Sequence, residues 1–199
     1  MSRALLVIDV QESFRQRPLW ELISDPDVAG KVARLVEHAR DQGDLVVWVL
    51  HTEPGSGGAF DPELGHVRLL PGLDPRPGEP VLTKTSHNAF TTTGLQQLLT
   101  ERGVSEVVVS GLRTEQCCET TARLASDLGY RVTFVIDATA TNPIEHPEAP
   151  AGRSNAEILA DPRTLGVDEI LTRTEYALAR RFATVVRVDE VVGAPTLAG

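Results

Sequence analysis

Three residues of this 199-residue chain could together activate a nucleophile: Asp9, Lys84 and Cys117. A carboxylate can take a thiol proton, a cation can steady the resulting thiolate, and a thiolate attacks an acyl carbon. Cys117 ends the segment Val109-Ser110-Gly111-Leu112-Arg113-Thr114-Glu115-Gln116-Cys117, where a β-branched run breaks at a glycine and a helix follows. Thr114 reads as the helix N-cap, which puts Cys117 in the first turn. There the unpaired backbone N–H groups and the positive end of the dipole favour a thiolate and could hold an oxyanion. Asp9 closes the apolar run Ala4–Asp9, and Lys84 directly follows Val81–Thr83. Each also has an ordinary role open to it. Cys117 and its neighbour Cys118 could be small apolar residues packing a helix on a sheet, Asp9 a turn cap, and Lys84 a solvated charge. Convergence in space separates the two sets of roles, and spacing alone does not show it.

The elements that must position these residues are short β-branched runs with room for a helix between them. Six strands are expected, at Ala4–Asp9, Leu45–His51, Val81–Thr83, Glu106–Ser110, Arg131–Asp137 and Thr184–Val188. Most are continuous apolar runs rather than alternating ones, as in a parallel sheet covered on both faces. Val28–Gln42 carries Val28, Val32, Leu35, Val36 and Ala39 at helical spacing, and Thr93–Arg102, Thr114–Leu128 and Val167–Phe182 repeat the pattern. Gly43, Gly103 and Gly129 stand where left-handed caps would end the first three. This alternation predicts a doubly wound α/β fold, whose ligand crevice lies beyond the carboxyl ends of the strands. Asp9, Lys84 and Cys117 all fall at such ends. The Gly- and Pro-rich stretch 55–80 and the stretch 140–152 are expected to be loops that wall a pocket or meet another subunit, and the tail after Asp189 an irregular cap.

Length suits a single domain spanning 1–199. With 19 Lys and Arg against 28 Asp and Glu, the net charge of −9 disfavours nucleic acid and anionic membranes as partners. The apolar start is too short for a signal-peptide core, and no run approaches a membrane span, so a cytoplasmic protein is expected. Two adjacent cysteines cannot close a stapling loop and make a poor zinc site.

Three separated motifs resemble those of the isochorismatase-like superfamily of cysteine hydrolases, which includes nicotinamidases and N-carbamoylsarcosine amidases. They are Asp9-Val10-Gln11 followed by Phe14, Lys84 followed by Ala89-Phe90, and Gly111 to Cys117. Their order and strand-end positions match, and the alternation of elements matches from about Ala4 to Val188. The resemblance implies a three-layer fold with a parallel sheet of order 3-2-1-4-5-6 and helices on both faces. It implies a triad in which Cys117 is the nucleophile, Asp9 its base and Lys84 the cation that lowers the thiol pKa. It further implies a cis peptide joining Leu112 to Arg113, an oxyanion hole from the backbone N–H groups of Arg113 and Cys117, and a homo-oligomer. The reaction expected is hydrolysis of a carbon–nitrogen bond in a small-molecule substrate through a thioester, with no cofactor.

The chain departs from the family in places. Nicotinamidases carry an Asp-x-His metal motif after the second strand, where this chain has Leu50-His51-Thr52-Glu53-Pro54. His51 and Glu53 are too few ligands, so no metal site is expected. Cys118 stands where valine is common, and Arg113 where a small residue is common. Arg113 either lines the pocket for an anionic substrate group or points outward. Phe14, Trp20 and Phe90 are candidate apolar walls, with core packing as the rival role, and Tyr176 and His87 are weaker candidates. Two other functions compete with hydrolysis: a non-catalytic binding or scaffold protein of the same fold, and a thiol redox sensor built on Cys117 and Cys118.

Overall fold

The computed structural model describes residues 2–193. Its sheet comprises β1 (Ser2–Ile8), β2 (Leu45–His51), β3 (Val81–Lys84), β4 (Val104–Leu112), β5 (Arg131–Ala140) and β6 (Thr184–Val186). Every neighbouring pair is parallel, in the order β3-β2-β1-β4-β5-β6. This is the expected order. Because side chains alternate across a strand, Ala4, Leu6 and Ile8 of β1 enter one core while Leu5 and Val7 enter the other. That two-sided burial is the reason the strands read as unbroken apolar runs.

The first core is covered by α2 (Leu95–Glu101), α3 (Glu119–Asp127) and α5 (Val167–Leu178), through Leu95, Leu99, Ala122, Ala125 and Leu178. The second is covered by α1 (Val28–Asp41) and α6 (Val188–Val192), through Val28, Val32, Leu35, Val36 and Val188. Gly43, Gly103 and Gly129 all take left-handed φ after their helices, as expected of caps. Among the described residues no helix is long and apolar enough to cross a membrane.

Several local expectations are corrected. The segment expected as one helix from Thr114 opens with a π-helical turn over Thr114–Cys118, and α3 starts only at Glu119. Thr114 is not the N-cap: Arg113 holds that position, and Thr114 Oγ1 instead donates to Thr139 Oγ1 at 2.8 Å. Five strands depart from the expected limits: β1 starts at Ser2 and ends one residue before Asp9, β3 takes in Lys84, β4 and β5 run past theirs, and β6 stops at Val186. The fifth helix ends at Leu178 rather than Phe182, and Arg180 just beyond takes the left-handed conformation. A further helix, α4 (Asn155–Ala160), was signalled by Ser154 three residues before Glu157, the capping-box spacing. The tail expected as an irregular cap holds α6 instead; residues after Gly193 lie outside the described residues. The long 55–80 stretch is a loop with one short turn at Pro62–Leu64, and it buries Phe60, Leu70 and Leu73 against the second core.

Candidate active site

The site is built where β1 and β4 lie side by side. Ile8 pairs with Gly111, and a Cβ placed on Gly111 would stand 1.8 Å from the Ile8 carbonyl oxygen. Only glycine permits that approach, and Gly111 also takes φ +127°. The next residue on β1's side, Asp9, takes φ 54°, a left-handed conformation that aspartate tolerates better than most residues. Its N–H donates to Val49 O at 2.8 Å. The chain turns sharply there and leaves the carboxylate buried at the strand's end, with 0% exposure.

Lys84, also 0% exposed, reaches the same point from the end of β3. Its Nζ lies 2.7 Å from Asp9 Oδ2 and 3.4 Å from Cys117 Sγ. It also lies 3.1 Å from the Ser86 carbonyl oxygen and 3.3 Å from His51 Nδ1. Neither Asp9 oxygen accepts a well-directed hydrogen bond, so the Lys84 ion pair is the main compensation for burying that carboxylate. Cys117 is 7% exposed and sits on the π-helical turn, which Thr121 Oγ1 secures by donating to the Cys117 carbonyl at 2.6 Å. The peptide bond between Leu112 and Arg113 is cis.

Burial raises the Asp9 carboxyl above the ordinary carboxylate range, against the attraction of Lys84. Burial also pushes the Cys117 thiol up, to about 12, with the Asp9 charge adding to the rise and Lys84 opposing it. This corrects the expectation of a lowered thiol pKa: the helix start and one cation do not outweigh a dry setting beside a carboxylate. The resting sulfur is therefore a thiol facing a carboxylate of raised basicity, which is a donor–acceptor pair for proton transfer. Cys118 is fully buried, and burial pushes its thiol up as well.

Asp9, Lys84 and Cys117 are thus brought together, and Arg113 stands on the same turn as Cys117, near enough to act on it electrostatically. Arg113 neither points outward nor stands free for an anion. Its guanidinium pairs with Glu115 at 2.9 Å and donates to the Asn142 carbonyl at 3.2 Å. Phe14 and Phe90 are buried in opposite cores, Phe14 edge-on to Phe60 and Phe90 stacked on Tyr130. Trp20 is half-buried against the second core. Tyr176 is 81% exposed on α5, and His87 is exposed.

Three contributors escaped the sequence analysis as site residues. His51 packs its ring against Phe60 and offers Nδ1 to Lys84, while its Nε2 lies 3.3 Å from Glu53 Oε1. Gln11 is fully buried and clamps β1's end to β2's: its Oε1 accepts from His51 N at 2.7 Å and its Nε2 donates to His51 O at 3.0 Å. Ser86 supplies a carbonyl to Lys84. All three lie at or within three residues of a strand's carboxyl end, as Asp9 does. Both ring nitrogens of His51 are engaged by protein, and among the described residues no cluster of three His, Cys, Asp or Glu side chains suits a metal ion.

Fold and site together define a doubly wound α/β protein with a thiol at its topological switch point. An isochorismatase domain model matches residues 3–159, and the chain belongs to the isochorismatase family of hydrolases. Streptothricin hydrolase of Streptomyces noursei is 40% identical over 150 residues, covering 74% of this chain and 57% of that protein. The chain therefore spans a little over half of that relative's length. Nicotinamidase 3 of Arabidopsis thaliana is 36% identical over 148 residues, 69% of this chain and 73% of the relative. The crystal structure of an isochorismatase from Pseudomonas putida matches with a TM-score of 0.81 at 31% identity, covering 94% of this chain and 89% of the other.

Proposed function

We propose that the protein hydrolyses a carbon–nitrogen bond of a small amide, ureido compound or lactam through a thioester on Cys117. The observation that carries this reading is the contact of three strand-end groups in one dry junction: Lys84 Nζ lies 2.7 Å from Asp9 and 3.4 Å from Cys117 Sγ. The Cys117 S–H bond breaks, its proton passes to Asp9, and the sulfur electron pair attacks the acyl carbon. Lys84 keeps its protons and balances the negative charge as it moves from carboxylate to sulfur. Backbone N–H groups of Arg113 and Cys117 hold the tetrahedral oxyanion. Asp9 then returns the proton to the leaving nitrogen as the C–N bond breaks. Water cleaves the thioester, releasing the acid and restoring the thiol. The names of two relatives, a streptothricin hydrolase and a nicotinamidase, support this class of reaction.

The test is early-time intact mass spectrometry of the wild type and Cys117→Ala, each with a panel of small amides, ureido compounds and lactams. An acyl adduct confined to the wild type, decaying with release of amine or ammonia, is the expected result. A folded wild type giving neither adduct nor product across the panel would overturn the reading and favour a binding protein. Assembly as a homo-oligomer belongs to the same proposal and is checked by sedimentation.

A further inference from the structure

A cleft of about 440 Å³ opens at the amino ends of β4, β5 and β6, the end of the sheet opposite Cys117. Its charged lining is Arg131, Arg180 and Arg181 against Glu106, which leaves a local excess of positive charge in a chain of net charge −9. Arg131 pairs with Glu106 across the β4–β5 register at 2.9 Å. Arg180 and Arg181 are exposed and have no ion-pair partner among the described residues. Neither side chain is needed to close α5. The Leu178 carbonyl at the helix end already accepts from the N–H groups of Arg181, Phe182 and Ala183, at 3.3, 2.9 and 3.1 Å. The turn that presents the two arginines has a costly shape. Arg180 takes φ 64°, and among the described residues the only other non-glycine residue with a left-handed φ is Asp9 of the candidate active site. An arginine gains nothing locally from that conformation, in contrast to the glycines that follow α1, α2 and α3. Phe182 steadies the same turn: Arg123 packs over its ring at 4.4 Å, and Arg181 approaches that ring at 5.9 Å. A guanidinium held by its face against a ring keeps its N–H edge for a ligand.

We propose that this cleft binds a small molecule bearing a di- or triphosphate chain, with Arg180 and Arg181 as its principal contacts and Arg131 as a third cation. Guanidinium forks take phosphate or carboxylate oxygens two at a time. Here they come from two elements, β5 and the turn after α5, and 440 Å³ is more than a single anion fills. A linked chain of anionic groups meets both elements at once, and an oligophosphate is the most compact such chain. The negative charge of the protein as a whole gives a polyanion no long-range attraction, so recognition comes from this lining at short range. No covalent step is involved. The cleft and the Cys117 junction lie at opposite ends of the strands, so a ligand in one leaves the other open.

Titration calorimetry of the full chain with inorganic triphosphate at physiological ionic strength tests the site. A Kd below about 0.1 mM is expected. Citrate, a compact tricarboxylate, should bind at least about tenfold more weakly; equal binding would reduce the cleft to a patch that reads charge alone and overturn the proposal. Arg180→Gly suits the left-handed turn while removing the guanidinium, so a folded protein weakened by about tenfold or more is expected. Arg181→Lys keeps the charge but not the fork and should lose about threefold or more. Wild-type affinity in both variants would refute the site. Cys117→Ala should bind as the wild type does, and loss of binding there would move the anion to the hydrolytic junction and sink this assignment. Adenosine triphosphate, as a second probe, binds more tightly than inorganic triphosphate if the ligand is a nucleotide and equally if the phosphate chain is all that is read. Absence of binding by every phosphate probe at millimolar concentration, by calorimetry and by melting temperature alike, would overturn the proposal.

Discussion

Two places at the carboxyl ends of the strands hold a lysine–aspartate ion pair, and they differ in how far water reaches it. One is a cleft of about 490 Å³ beyond β5 and β6, lined by Asp25, Lys31, Asp137, Asp168, Glu175 and Arg187 among others. Its Lys31–Asp25 pair, at 2.7 Å, is 35% and 20% exposed. The other, the junction of Asp9, Lys84 and Cys117, holds a fully buried ion pair. In the open cleft water screens each charge, so the ion pair is worth about 0–1 kcal/mol and perturbs its neighbours weakly. In the closed junction the same kind of pair fixes geometry, and burial raises both the carboxyl and the thiol against the pull of Lys84. Volume marks where a molecule could rest, and buried unlike groups mark where a proton can be moved.

Matched substitutions in the two places test that contrast. The largest effect is expected from Asp9→Asn, which removes the base and should lower kcat/KM by about 10³ to 10⁴-fold, whereas Asp137→Asn should stay within about twofold. Steady-state kinetics on whichever substrate the panel yields gives both numbers. Lys84→Met strands a buried carboxylate and should cost about 3–5 kcal/mol in urea unfolding, against at most about 0.5 kcal/mol for Lys31→Met. The pH dependence of that loss has a definite sign. A carboxyl whose folded pKa is raised supports the fold below its unfolded pKa near 4, and the support is lost as pH rises through the folded value. Lys84→Met should therefore recover towards wild-type stability as the pH falls below about 4, because Asp9 then enters the fold neutral.

Backbone packing provides the next contrast. Gly111→Ala forces a methyl into the Ile8 carbonyl, and a loss of about 3 kcal/mol or more is expected. Gly94→Ala meets nothing within 4 Å and should change stability by less than about 1 kcal/mol in either direction. Both are read from denaturation midpoints. A smaller effect concerns the activity profile: since Asp9 must be ionised to take the thiol proton and its pKa is raised, the acid limb of kcat/KM should lie above the ordinary carboxylate value near 4. An acid limb at or below that value would separate Asp9 from the role of base.

Much of this was legible in the chain. Apolar runs bounded by turns located all six strands, because burial on both faces leaves few polar residues inside them. Glycines after apolar helical repeats located three helix ends, because left-handed φ is cheap only there. The strand order, and with it the meeting of Asp9 and Cys117, came through the family resemblance rather than from periodicity, which carries no information on which strands are neighbours. Thr114 looked like a helix cap by type and position, but Thr139 from β5 competes for its hydroxyl. Arg113 could have lined the pocket or pointed outward until Glu115 and Asn142 were placed beside it. His51 looked like an isolated histidine because Lys84 is 33 residues away and reaches it only through the β2–β3 pairing.

Residue types and local order alone determined that this protein has a parallel α/β architecture and places a carboxylate, a lysine and a thiol at strand ends, because those properties depend on near neighbours in sequence. Tertiary structure decided the rest: that Lys84 lies against both Asp9 and Cys117, that Arg113 is already paired, and that the thiol is held up rather than down. Each depends on groups far apart in sequence and on how completely water is excluded between them, and desolvation exists only once the chain is packed.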